Sequence, residues 1–268
     1  MLEPCPRPAD FVALSVRGRD AQDFLQRQLA ADLRRLNPGD TMPVCLLAAN
    51  GRVLASGTML RHAEQDFSWW LHGSLAEATA AHLRRFVLRS KVVLAIDPQQ
   101  HLAPAPRVPD ARPQWRDRAG RELALSVQAV AWTAAETAQF ASAAILTGWV
   151  DLDARLADRF LPQMLDLHRA GAIALDKGCY PGQEIVARTH YLGRIKRALR
   201  CLHCAAEPLL AASLQDADGK PLGDWLHACA SDDGWLGLAV VDASATEVHA
   251  MSTGGPVPTQ SQTISSAP

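Results

Sequence analysis

Two apolar runs, residues 44–48 and 53–60, flank the dipeptide Asn50-Gly51. That dipeptide tolerates the positive φ of a tight turn whose twist suits antiparallel strands, so the pair reads as a β-hairpin. A strand at 11–16 precedes it. Gly18 breaks that strand, and Asp20 opens a helix reaching about Leu36, with Phe24, Leu25, Leu29, Leu33 and Leu36 on one buried face. Asn37-Pro38-Gly39 ends that helix, for want of a donor and of right-handed preference. A third strand at 67–71 follows the hairpin. Ser74-Leu75-Ala76-Glu77 reads as a capping box for a helix to about Leu88, and 91–96 returns as a strand. The order β-α-β-β-β-α-β predicts an α+β fold, with antiparallel-rich sheets and helices packed on them.

The chain has 268 residues, enough for one large domain or two modest ones. Its 27 Lys+Arg against 28 Asp+Glu give a net charge of -1, which excludes a wholesale basic coat for nucleic acid but leaves room for a local patch. No apolar run approaches the roughly 20 residues of a membrane span. The start, Met1-Leu2-Glu3-Pro4-Cys5-Pro6, has neither the basic nor the apolar region of a secretory signal, so the expectation is a soluble, cytoplasmic protein with no membrane partner. Six scattered cysteines suggest free thiols in a reducing compartment. Cys201 and Cys204 have Cys-x-x-Cys spacing but sit in an alternating stretch that reads as a packed strand, so no metal site is assigned.

Prolines at 104, 106, 109 and 113 mark a connector near 97–120, expected to be exposed and irregular. Beyond it, 122–132 alternates like a strand. Thr133-Ala134-Ala135-Glu136 is a capping box starting a helix into Ala144, 160–167 is a short amphipathic element, and 172–175 looks like a strand. From Ile195 the chain breaks into short strands with turns at Asp218-Gly219 and Asp233-Gly234, as in a small β-barrel. The expected organisation is an α+β domain over 1–195 in two halves, a barrel over 196–251, and a disordered Ser/Thr/Gly/Pro/Gln tail over 252–268.

The stretch Lys177-Gly178-Cys179-Tyr180-Pro181-Gly182-Gln183-Glu184-Ile185-Val186-Ala187-Arg188-Thr189 stands apart. Pro181 suits the first position of a helix, which would set Cys179 just ahead of a helix N-terminus with Lys177 two residues away. Both the dipole and the cation favour thiolate over thiol. Gly178 and Gly182 allow close backbone approach, and Glu184 suits the first turn. On these residues alone, a strand-turn-helix corner with Cys179 as a small buried hydrophobe stands equally well.

The segment from Phe160-Leu161-Pro162-Gln163-Met164 through the Lys-Gly-Cys-Tyr-x-Gly-Gln-Glu signature resembles the YgfZ family, folate-binding relatives of the glycine-cleavage aminomethyltransferase. Weaker resemblance extends over Phe24 to Gln28, Asp32 and Asn50-Gly51-Arg52, and covers most of the chain to about residue 200. The resemblance implies an aminomethyltransferase-like folate-binding domain followed by a β-barrel, with tetrahydrofolate or another reduced folate in a central cavity. It also implies an accessory role toward iron–sulfur enzymes or assembly factors, including those that modify tRNA. By motif match it carries over Lys177, Gln183, Glu184 and Arg188, the functional thiol to Cys179, and polar positions of the first helix to Gln28 and Asp32. Two tryptophans beside the folate of a bacterial member correspond to Phe11 and Phe140, which keep an aromatic face and lose the indole donor. The expected site joins Phe11, Phe140, Asp32 and Arg188, with Cys179 at the cavity edge.

Two alternatives stand beside this reading. One is an active folate-dependent aminomethyltransferase or demethylase, disfavoured because Leu146-Thr147-Gly148 offers no carboxylate where those enzymes carry one; whether there is any catalytic turnover stays open. The other is a folate-free interaction scaffold. Arg188, Arg194, Lys196, Arg197 and Arg200 run without an acid between them. They could meet a folate tail or make weak contact with tRNA, or they could be a solvated strand edge guarded by charge. Trp69-Trp70 should send one indole to each face of a strand, one into the core and one toward a cavity.

Overall fold

Alternation along a central strand divides the first part of the molecule into two cores. The computed structural model describes residues 5–108, 114–117, 119–262 and 264. The first sheet contains β1 (Phe11–Arg17) and, after α1 (Ala21–Gln28), the strands β2 (Thr41–Leu47), β3 (Val53–Ala63) and β4 (Asp66–His72). Helix α2 (Gly73–Arg84) leads into β5 (Val93–Asp97), and the antiparallel order is β2-β3-β4-β1-β5. In register, Leu14 faces Trp69 and Met59 faces Trp69, all three within the main core with Phe24, Leu25 and Leu83 of the helices. Ala13 faces Trp70 on the opposite side, in a second core with Leu102, Trp115, Leu123 and Phe140. The two adjacent indoles thus serve different cores.

A three-stranded sheet covers that second face: β6 (His101–Pro104), β7 (Gln114–Arg116) and β8 (Glu122–Ser126), in order β6-β8-β7. The proline-marked connector is therefore ordered on both sides of residues 109–113, which lie outside the described residues. Leu102, Ala103 and Trp115 are buried, and those apolar side chains supply the driving force that a count of prolines hides. Strand β8 ends at Ser126, short of the expected Trp132. Helix α3 (Ala134–Thr147) completes the layer, with the reciprocal Thr133–Glu136 capping box in place.

Several elements depart from the sequence reading for local reasons. Helix α1 stops at Gln28 because Leu29 turns extended and bridges to Leu46, and Leu33–Arg35 forms a separate 3-10 turn capped by Asp32. The cap of α2 is His72, whose Nδ1 accepts from the Ser74 backbone at 3.2 Å; the Ser74 hydroxyl accepts from Ala154 N instead. Pro162–Leu165 is a 3-10 turn, and 172–175 is no strand, although Ala174 N donates to Ala30 O.

After α4 (Gln183–Leu192) the chain closes a six-stranded barrel: β9 (Arg197–Cys204), β10 (Ser213–Gln215), β11 (Pro221–Ser231), β12 (Gly234–Asp242), β13 (His249–Ser252) and β14 (Gly255–Gln262), in order β10-β11-β12-β9-β14-β13. The segment expected to be a disordered tail is thus, to residue 262, the closing strand. Thr259 to Gln262 pair with β9 through backbone groups, which polar side chains do not prevent. Residues 263 and 265–268 lie outside the described residues. Leu202 and Cys204 face the barrel core, while Cys201 faces the main core, so the Cys-x-x-Cys pair points to opposite sides of one strand. Leu226, Leu238 and Val240 also join the main core and weld the barrel to the first domain. Among the described residues no helix is long and apolar enough to cross a membrane.

Candidate functional site

The distinctive stretch forms a corner held at three points. Gly182, at φ +78°, is the N-cap of α4, so Pro181 lies before the helix rather than at its first position. Gln183 N donates to Tyr180 O, and that turn sets the helix start two residues later than the proline suggests. A Cβ on Gly182 would sit 2.5 Å from Ala48 O, and one on Gly51 would sit 2.8 Å from Ile185 Cβ. The hairpin turn and the signature glycine therefore press backbone to backbone, which explains why both positions lack a side chain. Gln163 Nε2 donates to Val186 O at 2.9 Å, tying the Phe160 segment to the same helix.

Lys177 is the third anchor. Its ammonium donates to Gln26 O at 2.7 Å, Leu29 O at 2.8 Å and Ala31 O at 2.7 Å, so all three protons satisfy carbonyls where α1 ends. Burial pushes this ammonium down to about 8, and the Asp32 carboxylate pulls the other way. Asp32 accepts from Gln26 Nε2 at 2.8 Å and from Arg34 N, and Gln183 Nε2 donates to Lys177 O at 3.4 Å. Gln28 is buried, and its Oε1 lacks a partner among the described residues, as does the Tyr180 hydroxyl, whose ionisation burial pushes up to about 12. Cys179, Glu184 and Arg188 are exposed. The signature thus presents its thiol to solvent, while its lysine is spent on the backbone.

The aromatic half of the expected site lies elsewhere. Phe11 and Phe140 touch edge to face, centroids 5.6 Å apart, so no flat ring fits between them. Phe140 lines a half-open cleft of about 390 Å³ beneath α3, shared with Trp132, Gln139, Ala143, Leu123 and Arg121. Arg107 and Arg116 stand at its rim, paired with Glu136 and Glu122. Phe11 lies behind, on a smaller adjoining hollow with Trp70 and Trp115, whose buried indole N–H groups have no partner among the described residues. Phe140 is the only one of the sequence-selected residues lining the large cleft. Phe11 touches it from behind, and Gln28, Asp32, Lys177, Cys179, Gln183, Glu184 and Arg188 line neither hollow.

A buried network unseen in the sequence joins these hollows. The Arg121 guanidinium stacks 3.9 Å from the Phe140 centroid. It donates to Asp117 Oδ2 at 2.6 Å and to both carboxylate oxygens of Asp151, at 2.7 and 3.2 Å. Asp117 also accepts from Ala119 N and Arg121 N, and Asp151 accepts from the Trp149 indole at 2.7 Å. Burial holds the Asp117 carboxyl above the usual range against the pull of Arg121. His227 of β11 donates from Nε2 to Asp151 O at 2.8 Å, and burial pushes its ring down to about 4. The sequence signal that could have found it is Gly120, at φ +75° and donating its N–H to Asp117 O, just ahead of Arg121.

No family model matches the chain. It is 32% identical to the tRNA-modifying protein YgfZ of Edwardsiella ictaluri over 76% of this chain and 72% of that protein. The tRNA-modifying protein YgfZ of Cronobacter sakazakii is 26% identical over 87% and 82%. Among solved structures, glycine cleavage system aminomethyltransferase T from Bartonella henselae superposes at TM-score 0.72 and 17% identity, covering 97% of this chain and 86% of that one. The fold is accordingly aminomethyltransferase-like, with antiparallel sheets and a C-terminal barrel.

Proposed function

The chain belongs to the YgfZ family of tRNA-modifying proteins, and on that premise we propose that it is a cytoplasmic folate-binding accessory protein serving iron–sulfur enzymes. The observation that carries the folate part is the cleft beneath α3. Its volume of about 390 Å³ falls in the range of small-molecule sites, and its lining joins Leu123, Trp132 and Phe140 to the charged side chains of Arg107, Arg116, Arg121, Glu122 and Glu136. The residues fit a reduced folate. Trp132 and Phe140 offer ring contact, Gln139 an amide, and Arg107 and Arg116 cations able to exchange Glu136 and Glu122 for the carboxylates of a folate tail. Phe140 is buried, with Arg121 over one face and Phe11 and Trp132 packed edge-on, so the half-buried Trp132 would offer the main stacking surface. A bound reduced folate would supply a one-carbon carrier.

The second part rests on Cys179. An exposed thiol on a rigid corner, fixed by Lys177 and Gly182, suits transfer or contact with a client's sulfur or iron–sulfur centre. Titrating tetrahydrofolate while following tryptophan emission tests the first part: saturable quenching that shrinks in Trp132→Phe is expected, and no saturation counts against it. Cys179→Ala tests the second in a strain lacking its own homologue. Full restoration of iron–sulfur enzyme activity by that variant would remove the thiol from the account.

A further inference from the structure

The C-terminal end of α4 and the link into β9 carry a surface that the folate reading does not use. Tyr191 is 70% exposed and Leu192 is 84% exposed, far more than a helix end folded against its own protein would leave. The His190 and Tyr191 rings pack edge to face with centroids 4.8 Å apart, forming a small aromatic platform in solvent. Five Lys and Arg residues lie between 185 and 206, with no Asp or Glu among them.

The pairing of those cations separates two groups. Arg197 reaches Asp224, and Arg200 donates to the carbonyls of Asp242, Ala243 and Ala245. Arg188, Arg194 and Lys196 are exposed and make no ion pair or hydrogen bond with the described residues. Guarding a sheet edge does not account for them. Strand β9 pairs with β12 along its whole length and with β14 at residues 201–204, and Arg188, Arg194 and Lys196 all precede its first residue, so they are not on a strand edge. Arg188 stands three residues before Tyr191 and four before Leu192, on the same helix face.

We propose that this surface binds RNA at an unpaired stretch, one base stacking on Tyr191 and neighbouring phosphates meeting Arg188, Arg194 and Lys196. The proposal rests on the chain acting in tRNA modification and names where such an RNA would touch it. Unneutralised cations around an exposed aromatic are the elements of single-strand recognition: charge follows the backbone, and a ring accepts any base. The chain's overall charge of -1 makes this a local site rather than a general attraction.

The test uses the full chain and a fluorescein-labelled hairpin RNA with an unpaired loop, with duplex RNA of equal length as comparator, read by anisotropy over a salt series. Binding is expected to favour the hairpin and to weaken as salt rises. The triple variant Arg188→Ala, Arg194→Ala, Lys196→Ala should lower the slope of log affinity against log salt by about 2, from roughly 0.7 per phosphate contact. Tyr191→Ala should weaken binding roughly tenfold to a hundredfold with the slope kept. No salt-dependent binding by the unaltered chain, or an unchanged slope in the triple variant, overturns the proposal. A parallel measurement of tRNA modification in a strain lacking its homologue keeps the two readings apart. If the unaltered chain restores nothing, the tRNA-modification reading fails whatever the anisotropy shows. If it restores modification, the triple variant does not, and no RNA is bound, the surface serves a protein partner and the RNA proposal is wrong.

Discussion

Replacing Arg121 with Met tests whether the buried network organises the centre of the molecule. The guanidinium side chain is 6% exposed and its partners Asp117 and Asp151 are 2% and 3% exposed. Removing one member of a buried ion pair costs about 3–5 kcal/mol, because the remaining charge keeps its desolvation penalty without its partner. Here a single cation serves two carboxylates, which raises the cost. The backbone N–H groups of Ala119 and residue 121 still serve Asp117, and the Trp149 indole still serves Asp151, which lowers it. The methionine stem keeps contact with Phe140. The expected loss at pH 7 is therefore about 3–5 kcal/mol, read as a lower urea midpoint at unchanged slope. The pH dependence carries the argument further. Burial already holds Asp117 above the ordinary range, and without the guanidinium it rises further. Such a carboxyl is protonated in the fold at pH values where the unfolded chain is ionised, so the variant's deficit against the unaltered protein should shrink as pH falls from 7 toward about 4. The triple variant Asp117→Asn, Arg121→Met, Asp151→Asn should recover more than half of the loss. A deficit under about 1 kcal/mol, the scale of a surface pair, or one that does not change with pH, would refute the reasoning.

Three further outcomes follow from the same contacts. His227 is neutral in the fold down to about 4, while the unfolded ring takes its proton near 6.5, so stability is lost as pH falls between those values, by about 3 kcal/mol at pH 4. His227→Gln, which can still donate to Asp151 O, should flatten that part of the urea-midpoint profile; parallel profiles would show another group is responsible. Gly182→Ala should cost at least about 1–3 kcal/mol from left-handed backbone alone, plus the clash with Ala48 O, and thermal unfolding within a degree of the parent would contradict that. Lys177→Met strands three carbonyl oxygens and should cost about 2 kcal/mol or more, with faster hydrogen exchange where α1 ends; unchanged exchange there would mean those bonds are not made in solution.

What could be read from the sequence was local. Asn50-Gly51 marked the hairpin, although only Gly51 takes positive φ and the turn closes from Gly51 N to Ala48 O, one residue longer than the dipeptide suggests; Thr133–Glu136 capped α3 because both partners lie within one turn. Trp69 and Trp70 divided between cores as strand geometry requires. Features set by tertiary contact were not readable. The apolar pattern of α1 continues past Gln28, yet the chain leaves the helix there because Leu29 bridges to Leu46 and Lys177, nearly 150 residues away, takes the free carbonyls. Composition misjudged β14, whose role in closing the barrel is a backbone matter. The candidate site split for the same reason. Lys177 and Gly182 were legible as a motif, while Arg121, Asp117 and Asp151 join from segments with no shared pattern. The motif located the corner but not the cleft.

Calorimetric titration of tetrahydrofolate into the unaltered chain and into Ala143→Trp tests the central claim most directly, because Ala143 of α3 lines the cleft and an indole there would take up its space. Saturable binding on the order of tens of micromolar or tighter by the unaltered chain, abolished in Ala143→Trp, is the predicted result. No heat of binding by the unaltered chain, or equal binding by both proteins, would contradict a folate site beneath α3.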